Sequence, residues 1–164
     1  MKVVKSAAIA LLGMGAAHGV IADELLTEKV LPLSLEVEAA QAAIQACAAK
    51  QFHISVAIVD AYGNTKLELV SDGGNFTTLD SARRKAYTAV MMRQPTATLQ
   101  QNIAANPGAP PPGDGNPMFL FLAGGIPIRV GTEVVGAIGV GGAASQQDAL
   151  CAQAGLDKIQ GELH

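Results

Sequence analysis

The sequence contains no tryptophan, and only two tyrosines and four phenylalanines among its 164 residues. Proteins that bind single-stranded nucleic acids stack the bases on aromatic side chains, so this shortage argues against such a surface. The 11 Lys and Arg residues are outnumbered by 14 Asp and Glu residues, which gives a net charge of −3 at pH 7. A mildly acidic protein has no general attraction to nucleic acid or to an anionic membrane. We therefore expect no nucleic-acid partner.

The first 22 residues have the pattern of an export signal. Lys2 and Lys5 precede an apolar run, residues 7–17, which is too short to span a bilayer, and Ala22 ends a small-residue cleavage site. A buried N-terminal helix is the alternative, but lysines are unfavourable at the positive end of a helix dipole. We predict a signal peptide at 1–22 and a mature domain at 23–164, periplasmic or secreted, with no membrane span after processing.

The mature chain predicts an α+β fold of three layers. Helical spacing of apolar residues predicts helices that begin near Ser34, Thr77 and Ser145, the second one capped by Thr77. A weaker helical segment covers 96–104, and a Pro/Gly-rich loop follows it. Short apolar runs predict five strands, at 53–60, 65–70, 118–122, 126–130 and 133–140. Because the connections are short hairpins, we expect an antiparallel five-stranded sheet with helices on both faces.

No pattern of a hydrolase, a nucleotide-binding protein or a metalloprotein is present. The glycine-rich segment 136–145 fits neither the dinucleotide fingerprint nor the P-loop, and Ser145 lacks the G-x-S-x-G motif. The aspartates lie on separate turns without the spacing of a calcium loop. After export only His53 and His164 remain as imidazoles, and we interpret His53 as a polar residue at the start of a strand. No catalytic residue is predicted.

The two cysteines, Cys47 and Cys151, lie in the first and last predicted helices. An even number of cysteines in an exported chain is typical of a disulfide. Cys47 falls on the apolar stripe of its helix, whereas Cys151 falls outside the stripe of its own. Two buried thiols therefore remain the alternative interpretation.

One segment, ARRKAYTAV (82–90), combines cations with a hydroxyl group and is followed by two methionines. Residues three and four apart share a helix face, so Arg84 and Lys85 are expected beside Thr88, and Thr88 beside Met91 and Met92. Guanidinium groups bind carboxylates, and thioethers contact flat apolar ligands. A solvated basic face with the methionines in a subunit contact is the competing interpretation.

Three segments together resemble the GlcG/HbpS-like haem-binding family: VAIVDAYGN (56–64), SDGGNFTTLDSARRKAYTAV (71–90) and GGIPIRVGTEVVGAIGVGGAASQQDALCAQAGL (124–156). This resemblance implies a profilin-like domain, a homo-oligomer that in several members is an octamer, and haem as ligand. It also implies Thr88 as the iron ligand. We accordingly expect Arg84 and Lys85 to pair with the haem propionates and Met91 and Met92 to contact the macrocycle.

The function expected from these observations is non-covalent haem binding outside the cytoplasm, in capture, buffering or sensing, with a sensor or redox protein as a possible partner. Slow haem degradation is implied by the family name, but no acid, base or nucleophile assembles in the sequence to perform it. The rival function is a periplasmic accessory domain that binds a small organic acid, a cobalamin-like ligand or only a protein.

Overall fold

The computed structural model describes residues 27–113 and 115–164, so the predicted signal peptide, 1–22, lies outside the described residues. This part of the chain contains four helices and four strands, followed by a short 3-10 turn. In chain order they are α1 (Leu33–Ala48), β1 (Ser55–Asp60), β2 (Thr65–Val70), α2 (Phe76–Met92), α3 (Thr96–Ala105), β3 (Gly125–Val130), β4 (Glu133–Gly141) and α4 (Ser145–Ile159). Among the described helices, none is both long and apolar enough to cross a membrane.

The strands form one antiparallel sheet in the order β2-β1-β4-β3. The two central strands are apolar at successive positions because both of their faces are covered. Val56 and Val140, which are partners in the register, face the helices α1 and α4, whereas Val59 and Ala137 face α2. The predicted α+β class, the antiparallel sheet and the helices on both faces are confirmed.

The predicted fifth strand, 118–122, is wrong. Its backbone bonds to side chains instead of to a neighbouring strand: Leu120 N–H donates to Thr88 Oγ1 at 2.8 Å, and Met118 N–H donates to Asn116 Oδ1 at 2.9 Å. Just beyond it, Ala123 N–H donates to Gln100 Oε1. The segment therefore lies across α2 as an irregular connection, and the sheet has four strands.

Helix α2 begins earlier than predicted and lies very close to the sheet. Its N-cap is Asn75, whose side chain accepts from the N–H groups of Thr77 and Thr78, so Thr77 is not the cap. On β4, a Cβ atom added at Gly141 would come within 2.6 Å of the Thr78 carbonyl oxygen. Gly139 and Gly141 of β4 therefore allow α2 to rest on the sheet backbone.

The disulfide between Cys47 and Cys151 is present, with a Cα–Cα distance of 5.7 Å and a sequence separation of 104 residues. It joins α1 to α4 inside the larger apolar cluster, where both cysteines are fully buried. The disulfide interpretation is confirmed, and the alternative of two free thiols is excluded.

Candidate functional site

The three consecutive cations of α2 have different environments. Arg83 and Arg84 are partly exposed and lie 2.7 and 3.8 Å from the carboxylate oxygens of Asp80. Lys85, in contrast, is only 2 % exposed. Its Nζ atom donates to Asp148 Oδ2 at 2.6 Å and to the carbonyl oxygen of Val140 at 3.0 Å. The expectation that Lys85 shares an outward face with Arg84 is therefore wrong, because its amine is bonded inside the core.

The carboxylate that pairs with Lys85 also binds the backbone just before α4. Asp148 lies in the first turn of that helix, and its Oδ1 accepts from Ala143 N–H at 2.9 Å. Burial lowers the pKa of the Lys85 amine and raises the pKa of the Asp148 carboxyl, while the hydrogen bond between them opposes both shifts. With three hydrogen bonds around the pair, we treat it as a structural ion pair that links the two helical layers.

Thr88 is fully buried, and its hydroxyl group makes two hydrogen bonds. The hydroxyl donates to the carbonyl oxygen of Arg84 at 2.7 Å and accepts from Leu120 N–H at 2.8 Å. A threonine oxygen would have to lose these contacts and reach the surface to ligate iron. Within one subunit, therefore, Thr88 does not fit an iron ligand, and its observed role is to hold the segment after the Pro-rich loop against α2.

The remaining residues of the expected haem face, Arg84, Met91 and Met92, have separate environments. Met91 packs against the apolar cluster under α2, and Met92 is partly buried. An Nη atom of Arg84 donates to the Phe119 carbonyl oxygen at 3.1 Å, and the Phe119 ring lies 5.6 Å from that of Tyr87. The structure thus leaves Arg84 and Met92 near the surface but does not bring the five expected residues together around a ligand.

A different site lies beside His53, between α1 and the edge strand β2. It is a groove of about 470 Å³. Apolar and polar groups both line it: Gln41, Ile44, Ala48, Gln51, Phe52, His53, Leu69, Val70, Ser71 and Asp72. His53 is exposed, and its Nδ1 atom lies 2.5 Å from the Asp72 carbonyl oxygen. Because a carbonyl oxygen only accepts, Nδ1 carries the hydrogen.

From the sequence, His53 is expected only as the polar start of a strand. The sequence shows the glycines of Asp72-Gly73-Gly74 but not what they contact. In the structure, Gly73 has a φ of +84°, and a Cβ atom there would come within 3.0 Å of the His53 ring. A glycine that admits a histidine ring is visible only once the loop geometry is known. The described residues contain no group of three or more His, Cys, Asp or Glu side chains able to hold a metal ion by themselves.

The family model described as haem degrading protein HbpS-like matches residues 31–157. The chain belongs to the HbpS-like family. This HbpS-like chain is also 34% identical, over 131 residues, to an uncharacterised 15.0 kDa protein encoded in the dhaT-dhaS intergenic region of Citrobacter freundii. That match covers 76% of this chain and 91% of the relative.

Two solved structures resemble the HbpS-like chain over most of its length. A double mutant of HbpS from Streptomyces reticuli is 36% identical, with a TM-score of 0.74, and the match covers 94% of this chain and 97% of that one. The protein in the PduOC:haem complex is 25% identical, with a TM-score of 0.73, over 80% of this chain and 96% of that one. The haem in that complex belongs to PduOC.

Proposed function

We propose that this protein is an exported, non-covalent haem-binding protein that captures or buffers haem. The observation that carries the proposal is the match over 31–157 to a haem-degrading family, together with the shared fold of a PduOC:haem complex. Haem supplies an iron centre with open coordination positions, and the protein supplies a ligand and an apolar surface. The small number of aromatic residues does not oppose this, because aliphatic side chains also pack on a porphyrin.

Export is supported by the cysteines as well as by the predicted signal peptide. The disulfide between Cys47 and Cys151 joins α1 to α4. Disulfides persist in oxidising compartments but are rare in the cytosol. The proposed compartment is therefore the periplasm or the exterior, where haem released by other proteins would be captured.

Binding is proposed in preference to turnover because of where the titratable groups lie. Among the described residues, the closest ion pair is Lys85 with Asp148, and their side chains are each 2% exposed. General acid–base catalysis needs a group within hydrogen-bond reach of the substrate. A buried structural pair gives a substrate no such group.

A homo-oligomer larger than a dimer is part of the proposal. Large apolar side chains are exposed on the single subunit, among them Phe76 at 77%, Leu33 at 62% and Leu150 at 59%. Apolar surface of this kind typically marks protein contacts. Symmetric assembly of identical subunits is the usual way in which a small domain covers such surface.

The decisive experiment is a haemin titration of the mature protein purified from the periplasm, followed by the Soret absorption band. We expect a saturable shift of the band with one haem per subunit, and the intact mass of the same material reports cleavage after Ala22. Absence of a saturable shift would overturn haem binding and leave the organic-acid or protein-partner function.

The same titration tests the surface on α2. Because Lys85 and Thr88 are bonded internally, we expect Arg84→Ala to leave haem affinity little changed. Lys158→Ala, which removes a cation paired with Glu38 at 2.9 Å on the opposite helical layer, is the matched control. A loss of about tenfold in Arg84→Ala alone, the size expected for a charge-assisted contact, would assign the haem to α2.

A further inference from the structure

We propose that His53 is the iron ligand and that the groove between α1 and β2 is the haem-binding surface. This inference rests on the proposed function, since it names the site at which haem would bind. It moves the iron away from Thr88. His53 lies two residues before Ser55, whose hydroxyl lies 2.8 Å from that of Thr78 near the start of α2. Thr88 is ten residues further along that helix, about 15 Å at 1.5 Å per residue.

The tautomer of His53 is the one that a metal ligand needs. With Nδ1–H donated to the Asp72 carbonyl oxygen, the neutral ring carries its lone pair on Nε2. Histidines that ligate metals typically donate their other ring N–H to a backbone carbonyl or a carboxylate, which fixes the orientation of the ring. His53 has this arrangement before any metal is bound.

The His53 ring is oriented with Nε2 away from the glycine turn. The ring atoms nearest to a Cβ atom built on Gly73 are Cγ, Nδ1 and Cε1. The edge that carries Nδ1 therefore packs on the glycine turn, and the edge that carries Nε2 lies on the far side of the ring. Because His53 is exposed and lines the groove, Nε2 is accessible to a ligand.

The groove beside His53 is largely apolar. Five apolar side chains line it: Ile44, Ala48, Phe52, Leu69 and Val70. Phe52 and Val70 remain 36% and 46% exposed, so they offer apolar contact area that the single subunit does not use. A flat, largely apolar macrocycle with a metal at its centre matches a groove that has one imidazole and apolar walls.

The polar groups of the groove restrict how such a ligand lies. The Asp72 carboxylate repels propionates, whereas Gln41 and Gln51 provide amide N–H donors for them. The Ser71 hydroxyl oxygen is buried and has no hydrogen-bond partner among the described residues. Because that oxygen is not accessible from the groove, Ser71 offers no direct polar contact to a bound ligand.

The test compares His53→Ala with the parent protein by haemin titration, recording both affinity and absorption spectrum. Loss of an outer-shell partner of a bound metal typically costs 10–100-fold in affinity, and we expect the loss of the ligand itself to cost at least about tenfold. Added imidazole should restore the parent spectrum, because it occupies the position left by the side chain. Circular dichroism of the apoprotein checks that His53→Ala folds.

Two further variants make the test specific. His164→Ala removes the other imidazole of the described residues and should leave the spectrum unchanged. Val70→Glu places a carboxylate at an exposed position of the groove, so it should weaken affinity while the spectrum of the residual complex keeps its histidine character. If the parent binds haemin and His53→Ala retains both its affinity and its spectrum, the inference is overturned. If the parent itself fails to bind, the proposed function falls, and this inference falls with it.

Discussion

The Nζ atom of Lys85 lies 2.6 Å from Oδ2 of Asp148, so one ion pair joins the helix on one face of the sheet to the helix on the other. Removing one member of a buried pair leaves the other charge without compensation, which typically costs about 3–5 kcal/mol. We therefore expect Asp148→Asn to lower the free energy of unfolding by about this amount, measured by urea denaturation. The double variant Lys85→Met with Asp148→Leu should recover much of the loss, because neither charge remains buried. Equal instability of the single and double variants would contradict this.

Thr88 is expected to act on stability and not on the haem spectrum. Thr88→Val keeps the shape of the side chain but leaves Leu120 N–H without its acceptor. An unsatisfied buried donor costs about 1–3 kcal/mol, so the melting temperature should fall. The Soret band of the haemin complex should match that of the parent. A changed spectrum with unchanged stability would indicate that Thr88 ligates the iron.

Reduction of the disulfide should destabilise the domain strongly. The bond encloses a long segment, with a sequence separation of 104 residues, and loops of this length are expected to contribute about 3–5 kcal/mol through restriction of the unfolded chain. The measurement is urea denaturation with and without reductant, and Cys47→Ala with Cys151→Ala serves as the matched form without thiols. A midpoint that reductant does not move would show that the bond contributes little.

Stability should depend on pH through Glu36. This carboxyl is 2% exposed, and burial raises its pKa above the ordinary value of 4.5, against the opposing effect of Lys66. The native state therefore holds the proton more tightly than the unfolded chain, so this group lowers stability as pH rises above about 4.5. Glu36→Gln should consequently have a higher melting temperature than the parent at pH 7, and the difference should narrow towards pH 4. A constant difference across this range would mean that Glu36 titrates normally.

The oligomeric state is a separate prediction. Light scattering of the mature protein at micromolar concentration should give a mass greater than that of a dimer, because the exposed apolar side chains need a partner surface. Phe76→Asp, at a position that is 77% exposed in the single subunit, is expected to reduce that mass. Leu122→Asp, at a position that is 41% exposed, is a comparison at another exposed site. A monomeric parent protein would reject the assembly.

Periodicity was sufficient to predict the layers of the fold but not the surroundings of each charged residue. Lys85 lies three residues after Ala82 and four before Ala89, and these two alanines are fully buried. The spacing alone therefore places Lys85 on the buried stripe, yet its charge led to the opposite expectation. What was missing is the Val140 carbonyl and Asp148, which come from distant parts of the sequence and make that position polar.

The expected fifth strand failed for a related reason. An apolar run such as 118–122 satisfies the composition of a strand, but a strand also needs a neighbour with free backbone groups. Here Thr88, Asn116 and Gln100 supply the hydrogen bonds through their side chains. Such competition between side chains and backbone depends on tertiary contacts, so a local pattern does not reveal it.

Under the proposed export, the distance between the two cysteines along the chain also sets an order of events. A chain that emerges N-terminus first presents Cys47 to the oxidising compartment 104 residues before Cys151. Helix α1 and the entire sheet thus emerge while that thiol still lacks its native partner. The correct bond is available only after the start of α4 has emerged. Until Cys151 emerges, the Cys47 thiol can form mixed disulfides with oxidoreductases or with other chains. The yield of native protein should therefore depend on the enzymes that catalyse thiol exchange in that compartment.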